Sequence, residues 1–346
     1  MERASASLAN YFASEKLIVS YISIFKKPHF FILDQSIYLY EPPAELNNRR
    51  LNLFKTIWWL RKTIRKSHPS AVLVFNKFYG ALVASSLILD KTPLLVSERS
   101  SPLYKWSTRI KVFNRLSFIM RSPQGIIAQT FIAAEYQSKY YPTKTQIRVI
   151  PNAIRFVKLF PDIIRQKKIL AVGRLTDPLK GFDRLIEAFA KLRNQEWLLI
   201  FAGGDEEGVL LKEQAKRLKV DHKVRFLGKV KNMDSIYAEC GIFVIPSRSE
   251  GFPNALCEAM AAGLPCISFN FVAGPGEIIT NGHDGLIVED GNIDALSKSI
   301  EFLIEHPQER DRLGQNALKI RDRLKLEKIG HEYLNFILDA EGARTN

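Results

Sequence analysis

Short runs of apolar, β-branched residues alternate with helical stretches along all 346 residues, and that alternation restricts the fold more than any other feature. It is the pattern of βαβ units around a parallel sheet, because parallel neighbours need a long crossover that is usually a helix. In the first half the strands fall at Leu17–Ser23, Ala71–Asn76, Pro93–Glu98, Gly125–Gln129 and Ile147–Ile150. In the second half they fall at Lys168–Val172, Trp197–Ala202, Val224–Leu227, Ile242–Pro246, Cys266–Phe269 and Gly285–Val288. The class is α/β, and each half reads as one doubly wound unit, since a single core rarely grows past about 250–300 residues. The segment Pro151–Gln166 lacks periodicity and carries the boundary, giving units over 1–155 and 156–325 and a C-terminal helix and tail over 326–346. From Ile293 to Glu341 the chain is almost wholly helical, with Leu324, Ile329, Tyr333, Phe336 and Ile337 at helical spacing. A substrate cleft is expected between such units, near the carboxyl ends of the strands.

Hydrophobic content of 46% with 25% charged residues is that of a globular protein, and no apolar run approaches the ~18 residues of a spanning helix. Met1–Ala13 reads as an amphipathic helix without the continuous apolar stretch of a signal peptide, which points to a cytoplasmic location. Cys240, Cys257 and Cys266 lack metal-type spacing and sit in apolar segments, as buried reduced thiols do. The net charge of +14 is uneven: residues 1–165 hold 25 Lys+Arg against 9 Asp+Glu, whereas residues 166–346 hold 25 against 27. A basic half of net +16 calls for a polyanionic partner, anionic lipid or nucleic acid.

The most informative stretch is Pro246-Ser-Arg-Ser-Glu-Gly-Phe-Pro-Asn-Ala-Leu-Cys-Glu-Ala-Met-Ala-Ala-Gly-Leu-Pro265, a strand end, a loop and a helix. Gly251 permits a turn, and Asn254 is the expected N-cap of a helix through Ala262. The helix end offers amides to an anion, and Glu250 and Glu258 offer acceptors to sugar hydroxyls. Taken singly, Glu250 also suits an ordinary turn and Glu258 a solvated helix face. The chain has no Asp-x-Asp and no Walker phosphate loop. Gly274-Pro-Gly276 lacks the third glycine of a dinucleotide fingerprint.

Two glutamates with seven residues between them, and Gly-Phe-Pro after the first, resemble the signature of retaining glycosyltransferase family 4, of the bacterial surface polysaccharide type. Gly274-Pro-Gly-Glu-Ile-Ile279 and Asn281-Gly-His-Asp-Gly-Leu-Ile-Val288 resemble the family's next block. Ala171-Val-Gly-Arg-Leu175 and Lys180-Gly-Phe-Asp-Arg-Leu-Ile-Glu-Ala-Phe189 resemble its diphosphate-binding block, so the likeness is strong over about residues 167–305 and looser before.

The resemblance implies the GT-B fold, two Rossmann-like domains facing a central cleft, with the C-terminal helix returning to the N-domain. It implies that Arg174 and Lys180 hold a nucleoside diphosphate beside Gly173 and that Glu258 binds the ribose. Glu250 would bind the transferred sugar, helped by amides around Phe252, Pro253, Asn254 and Ala255, making Glu250, Arg174 and Lys180 the catalytic group. The implied reaction moves a hexose or N-acetylhexosamine from a uridine diphosphate sugar to a lipid-linked glycan. Configuration is retained by same-face attack, with no metal or other cofactor. Sugar choice would rest on contacts around Glu250 and the Phe271–Gly276 loop.

Two departures stand out. Where relatives carry a histidine, this chain has Ser97-Glu-Arg-Ser-Ser-Pro102, so Glu98 and Arg99 either orient acceptor or donor or form a structural salt bridge. His29, His68, His222, His306 and His331 sit in polar or turn contexts without a catalytic role, and His283 reads as a structural turn residue. Met1-Glu-Arg-Ala-Ser-Ala-Ser-Leu-Ala-Asn-Tyr-Phe12 resembles the helix that follows a first strand and a glycine-rich loop, so the chain is expected to begin about 12–20 residues into such a unit. That expectation supports an alternative, a catalytically silent nucleotide-sugar-binding or scaffold subunit.

The positive charge gathers at Arg49–Lys66, beside Leu53, Phe54, Ile57, Trp58, Trp59 and Leu60, and at Lys105–Arg121, beside Trp106, Ile110, Phe113, Leu116 and Phe118. As amphipathic helices these suit the inner face of an anionic membrane, each basic residue contributing about 1 kcal/mol. The alternative, packing on the sheet with the charge solvated, is compatible with membrane contact, and membrane contact is the expectation. Nucleic acid is disfavoured, since no binding module is present.

Overall fold

The computed structural model describes residues 2–25, 31–46, 52–141, 144–194, 196–204, 208–272 and 274–342. Of the positions singled out above, Met1, His29, Arg49, Arg50 and Ala273 lie outside the described residues. The chain divides into two units, Met1–Ala153 with Lys325–Asn346, and Ile154–Leu324.

The first unit opens with α1 (Glu2–Ser14), β1 (Ser20–Ile22) and β2 (Tyr38–Tyr40). It continues through α2 (Leu53–Ser67), β3 (Val72–Phe75), α3 (Lys77–Ser86), β4 (Leu94–Ser97), α4 (Thr108–Met120), β5 (Gly125–Ala128), α5 (Phe131–Ser138) and β6 (Gln146–Val149). Strands β3 to β6 form a parallel sheet in sequence order, with Val72 opposite Leu94, Leu95 opposite Gly125 and Ile126 opposite Ile147. Strands β4 and β5 are buried throughout, which is why they read as continuous apolar runs rather than alternating ones. Helices α2 and α4 flank α3. Leu60, Ile64, Leu82 and Phe118 from these helices join Val96 and Ile126 of the sheet in one core. Strands β1 and β2 pair with each other and stand outside that sheet, a departure from the single winding expected from the sequence. Apolar periodicity does not mark β2, because it is three residues long and Tyr38 and Leu39 are exposed.

The second unit runs through β7 (Gln166–Val172), α6 (Phe182–Ala190), β8 (Leu198–Ala202), α7 (Val209–Arg217), β9 (Val224–Phe226), α8 (Met233–Glu239) and β10 (Cys240–Ile245). It continues with α9 (Asn254–Ala261), β11 (Cys266–Phe269), β12 (Leu286–Val288), α10 (Ile293–Glu305), α11 (Pro307–Ala317) and α12 (Ile320–Arg323). All its strands are parallel, in the order β12-β11-β10-β7-β8-β9. The winding therefore reverses between β7 and β10, the kind of switch point at whose carboxyl ends open α/β sheets bind ligands. Helix α6 shows how sequence becomes packing here: Phe182, Leu185, Ile186 and Phe189, at helical spacing, are its buried face. Cys240, Cys257 and Cys266 are buried free thiols, and burial pushes the Cys240 thiol up to about 12, so it stays protonated and inert.

The last helix, α13 (Leu326–Gly342), belongs to the first unit. Two glycines admit it. A Cβ on Gly330 would overlap the Tyr11 ring of α1, and one on Gly125 of β5 would come within 2.6–2.7 Å of the Phe336 ring. The Tyr333 hydroxyl sits 3.0 Å from Ser97 Oγ, and Arg148 stacks on Phe336 while pairing with Asp339 at 3.0 Å.

Candidate functional site

The loop leaving β7 holds Gly173 and Arg174, and the loop leaving β10 holds Ser247 to Pro253. Their meeting is built from backbone. Asp177 accepts from the Leu179 amide at 3.1 Å and starts a tight turn over Pro178–Lys180, which Gly181 ends at φ +66°. Any Cβ on Gly181 would collide with the Pro246 carbonyl oxygen, so only glycine lets this turn lie against the end of β10. The Arg248 amide then donates to the Leu179 carbonyl at 2.8 Å, and the Arg248 guanidinium grips both oxygens of Asp183 at 2.7 and 2.6 Å. Those bonds, foremost of its influences, hold the Asp183 carboxyl below its ordinary pKa.

This frame brings Lys180 to Glu250. The Lys180 ammonium donates to both carboxylate oxygens, at 2.8 and 3.1 Å, and Ser247 Oγ donates to the nearer one at 2.7 Å. Gly173 lies against the same lysine: a Cβ there would sit 3.0–3.1 Å from its Cδ and Cε. Glu250 is thus a paired residue, its side chain 13% exposed, rather than an ordinary turn residue. Arg174 stands apart, 72% exposed and paired with Asp177 at 3.0 Å.

Phe252 and Pro253 are buried and lead into α9. Asn254 is not the N-cap expected of it. It is the first helical residue, Pro253 precedes it, and its side-chain amide donates back to the Phe252 carbonyl at 3.3 Å. Proline has no side-chain acceptor, so among the described residues no side chain caps α9, and its first-turn amides at Ala255 and Leu256 have no intrahelical acceptor. An uncapped helix end at the carboxyl end of a sheet suits an anion better than a capped one. Glu258, in the second turn, is buried rather than solvated, and accepts from Arg155 Nε at 3.0 Å. Arg155 also pairs with Asp234 at 2.5 Å. Nothing in the spacing of 155, 234 and 258 announced this triad.

Glu98 and Arg99 lie in the first unit at the end of β4, and the structure gives them separate partners. The Glu98 carboxylate is buried and accepts from the amides of Arg99 and Ser100, each at 2.9 Å. Burial raises its pKa despite those amides and the nearby Lys77. The Arg99 guanidinium donates to Ser97 Oγ at 3.1 Å, to Tyr333 at 3.0 Å and to Asn152, and covers the Phe75 ring. In the Asn281–Gly285 turn it is the His283 carbonyl that is engaged, accepting from Asn316 at 2.9 Å. Among the described residues no group of three or more His, Cys, Asp or Glu is placed to hold a metal ion, and no helix is long and apolar enough to cross a membrane.

Two parallel α/β units, the last helix packed with the first of them, make up the GT-B fold. The fold superposes on the crystal structure of Anabaena HepE in complex with UDP, with a TM-score of 0.82, 17% identity, and coverage of 98% of this chain and 96% of that one. Residues 158–320 match the family profile described as "Glycosyl transferases group 1". An uncharacterized glycosyltransferase of Haemophilus influenzae is 25% identical over 96% of this chain and 94% of its own. The N-acetylgalactosamine-N,N'-diacetylbacillosaminyl-diphospho-undecaprenol 4-alpha-N-acetylgalactosaminyltransferase of Campylobacter jejuni is 31% identical over 78% of this chain and 74% of its own. The chain belongs to the group 1 glycosyltransferases.

Proposed function

We propose that this glycosyltransferase moves a hexose or N-acetylhexosamine, with retention, from a uridine diphosphate sugar to a lipid-linked glycan in surface polysaccharide synthesis. One observation carries the site reading: Lys180 and Glu250, 70 positions apart, meet at the switch point of the second unit. Support for the nucleotide comes from the UDP in the HepE complex, and for the acceptor from the undecaprenol named in the Campylobacter relative.

In this reading Arg174 and Lys180 hold the diphosphate, and Glu250 and the amides about Phe252–Ala255 hold the sugar. Glu258 takes the ribose hydroxyls, and Glu98 and Arg99 shape the acceptor side through the loop they brace. As the bond from C1 to the phosphate oxygen breaks, the acceptor oxygen bonds to C1 from the same face and its proton passes to the departing phosphate. Two cations and the open amides of α9 stabilise the charge that builds on the leaving group, so no metal ion is required. Lys180 is poised for this, because an incoming diphosphate competes with Glu250 for its ammonium.

Peripheral contact with an anionic membrane completes the proposal. Residues 100–134 contain no Asp or Glu. The outer face of α4 exposes Val112, Leu116, Ile119 and Met120 beside Arg109, Lys111 and Arg115, and α2 exposes Phe54 and Trp58, the latter 5.6 Å beneath the Lys62 ammonium. Apolar ridges edged by cations match a lipid interface better than a solvated face.

The deciding experiment is a thermal-shift and hydrolysis panel of nucleoside diphosphate sugars on the native protein and on Glu258→Ala, with and without chelator. Stabilisation by one donor, lost in the variant and indifferent to chelator, supports the reading. Dependence on a divalent ion would overturn its metal-free part, and equal response in the variant its site assignment.

A further inference from the structure

The segment that opens the second unit is strapped to it before any regular structure begins. The Ile154 amide donates to the Leu324 carbonyl at 3.0 Å, Val157 is buried, and the Lys158 amide donates to Asp234 at 3.0 Å. Arg321 closes the strap by donating to the Val157 carbonyl at 2.7 Å. Arg155 therefore leaves a fixed backbone, and its guanidinium bridges two acidic groups from different helices: Asp234 of α8 at 2.5 Å and Glu258 of α9 at 3.0 Å.

Resting on the reading of Glu258 as the ribose acceptor, we propose that Arg155 is a positioning residue for the donor's ribose, holding the Glu258 carboxylate aimed at the sugar's hydroxyls. A carboxylate has about four lone-pair directions, so a bond to Arg155 Nε leaves capacity for hydroxyls. The planar fork matters as much as the charge, because Nε meets Glu258 while a terminal nitrogen meets Asp234, which fixes the plane of the guanidinium and the rotamer of the glutamate. Burial by itself lowers the Arg155 pKa, but Asp234 and Glu258 together raise it, so the cation persists at any working pH. The three groups carry a net charge of one negative, which favours hydroxyl donors and repels the diphosphate toward its own cations.

A brace that only stabilised the strap would affect every nucleotide alike. The test measures binding of UDP, GDP, ADP and CDP, each against its 2′-deoxy counterpart, to native protein, Arg155→Met, Arg155→Lys and Asp234→Asn, with thermal unfolding of each. Native protein is expected to prefer one ribonucleotide to its deoxy form roughly tenfold or more, as suits a hydroxyl bonded to a charged group. In Arg155→Met that ratio falls toward one while the deoxy form still binds, and Arg155→Lys is intermediate. Should Arg155→Met not fold, Asp234→Asn lowers the ratio by a smaller factor through the freed guanidinium. A ratio unchanged in the folded variants, or ribo and deoxy forms weakened equally, would overturn the inference. No discrimination by native protein would instead remove the ribose role of Glu258, and the role of Arg155 with it.

Discussion

Lys180 and Glu250 form a two-pronged ion pair, the ammonium reaching both carboxylate oxygens at 2.8 and 3.1 Å with Ser247 as a third partner. The pair lies where the winding of the second sheet reverses, and each member occupies a position the family likeness assigns to the donor. In the structure the two groups neutralise each other; on the proposed reading, the lysine would hold the donor's diphosphate and the glutamate its sugar.

Replacing Lys180 by Met should lower kcat/KM at least a hundredfold, since it removes a preorganised cation from the leaving group. It also leaves Glu250 with Ser247 in place of a charge partner. Steady-state kinetics with the donor identified by the panel checks this, and a loss below threefold would place the diphosphate elsewhere.

Gly181→Ala should impair both stability and turnover. The residue has φ +66°, and a Cβ would strike the Pro246 carbonyl oxygen. Strain of this kind costs about 1–3 kcal/mol, and relief by shifting the turn would draw Lys180 from Glu250. A lowered urea midpoint with unchanged slope, together with a fall in kcat, is the expected outcome.

Asp183→Asn should show its effect at neutral pH and lose it in acid. Arg248 depresses the Asp183 pKa in the fold, so the stabilisation is present above the unfolded carboxyl value and disappears as pH falls through the folded one. The native and variant unfolding midpoints should differ at pH 7 and converge as pH falls below the ordinary carboxyl range through the lower folded value. Its side chain is 45% exposed, so screening by salt should narrow the difference.

Phe336→Ala should destabilise the first unit by about 3–5 kcal/mol, the usual effect of emptying a buried aromatic site. Phe336 is 1% exposed and packs on Gly125 at the centre of the sheet. Thermal unfolding measures it; a shift under 1 kcal/mol would mean that α13 contributes little to that core.

Leu116→Glu with Ile119→Glu should abolish flotation with vesicles containing anionic lipid and leave turnover on a water-soluble acceptor unchanged. Both residues point outward from α4, at 55% and 68% exposure, so the fold should tolerate the change. Equal flotation of native and double variant would remove α4 from the membrane contact, and flotation of native protein with neutral lipid alone would remove the charge argument.

The α/β class and almost every strand of both units were legible from sequence, because apolar periodicity is local and survives without knowledge of neighbours. Strand β2 was not, since three half-exposed residues carry no period. The cap of α9 was misassigned to Asn254, because a capping residue type was taken for a capping geometry, and the helix starts one residue too early for it. Lys180, Glu250 and Glu258 stood out through spacing and family likeness. Their partners did not: Ser247 is an unremarked loop serine, and Arg155, Asp234 and Glu258 are joined only across 79 and 103 positions.

That division has a physical cause. Which residues form strands and helices, and which half is basic, depends on side-chain pattern and charge along the chain, so the sequence determined it. Which cation meets which carboxylate depends on where parallel strands place their ends. Only the reversal of winding between β7 and β10, and the turn at Gly181 seated on Pro246, decided that Lys180 would face Glu250.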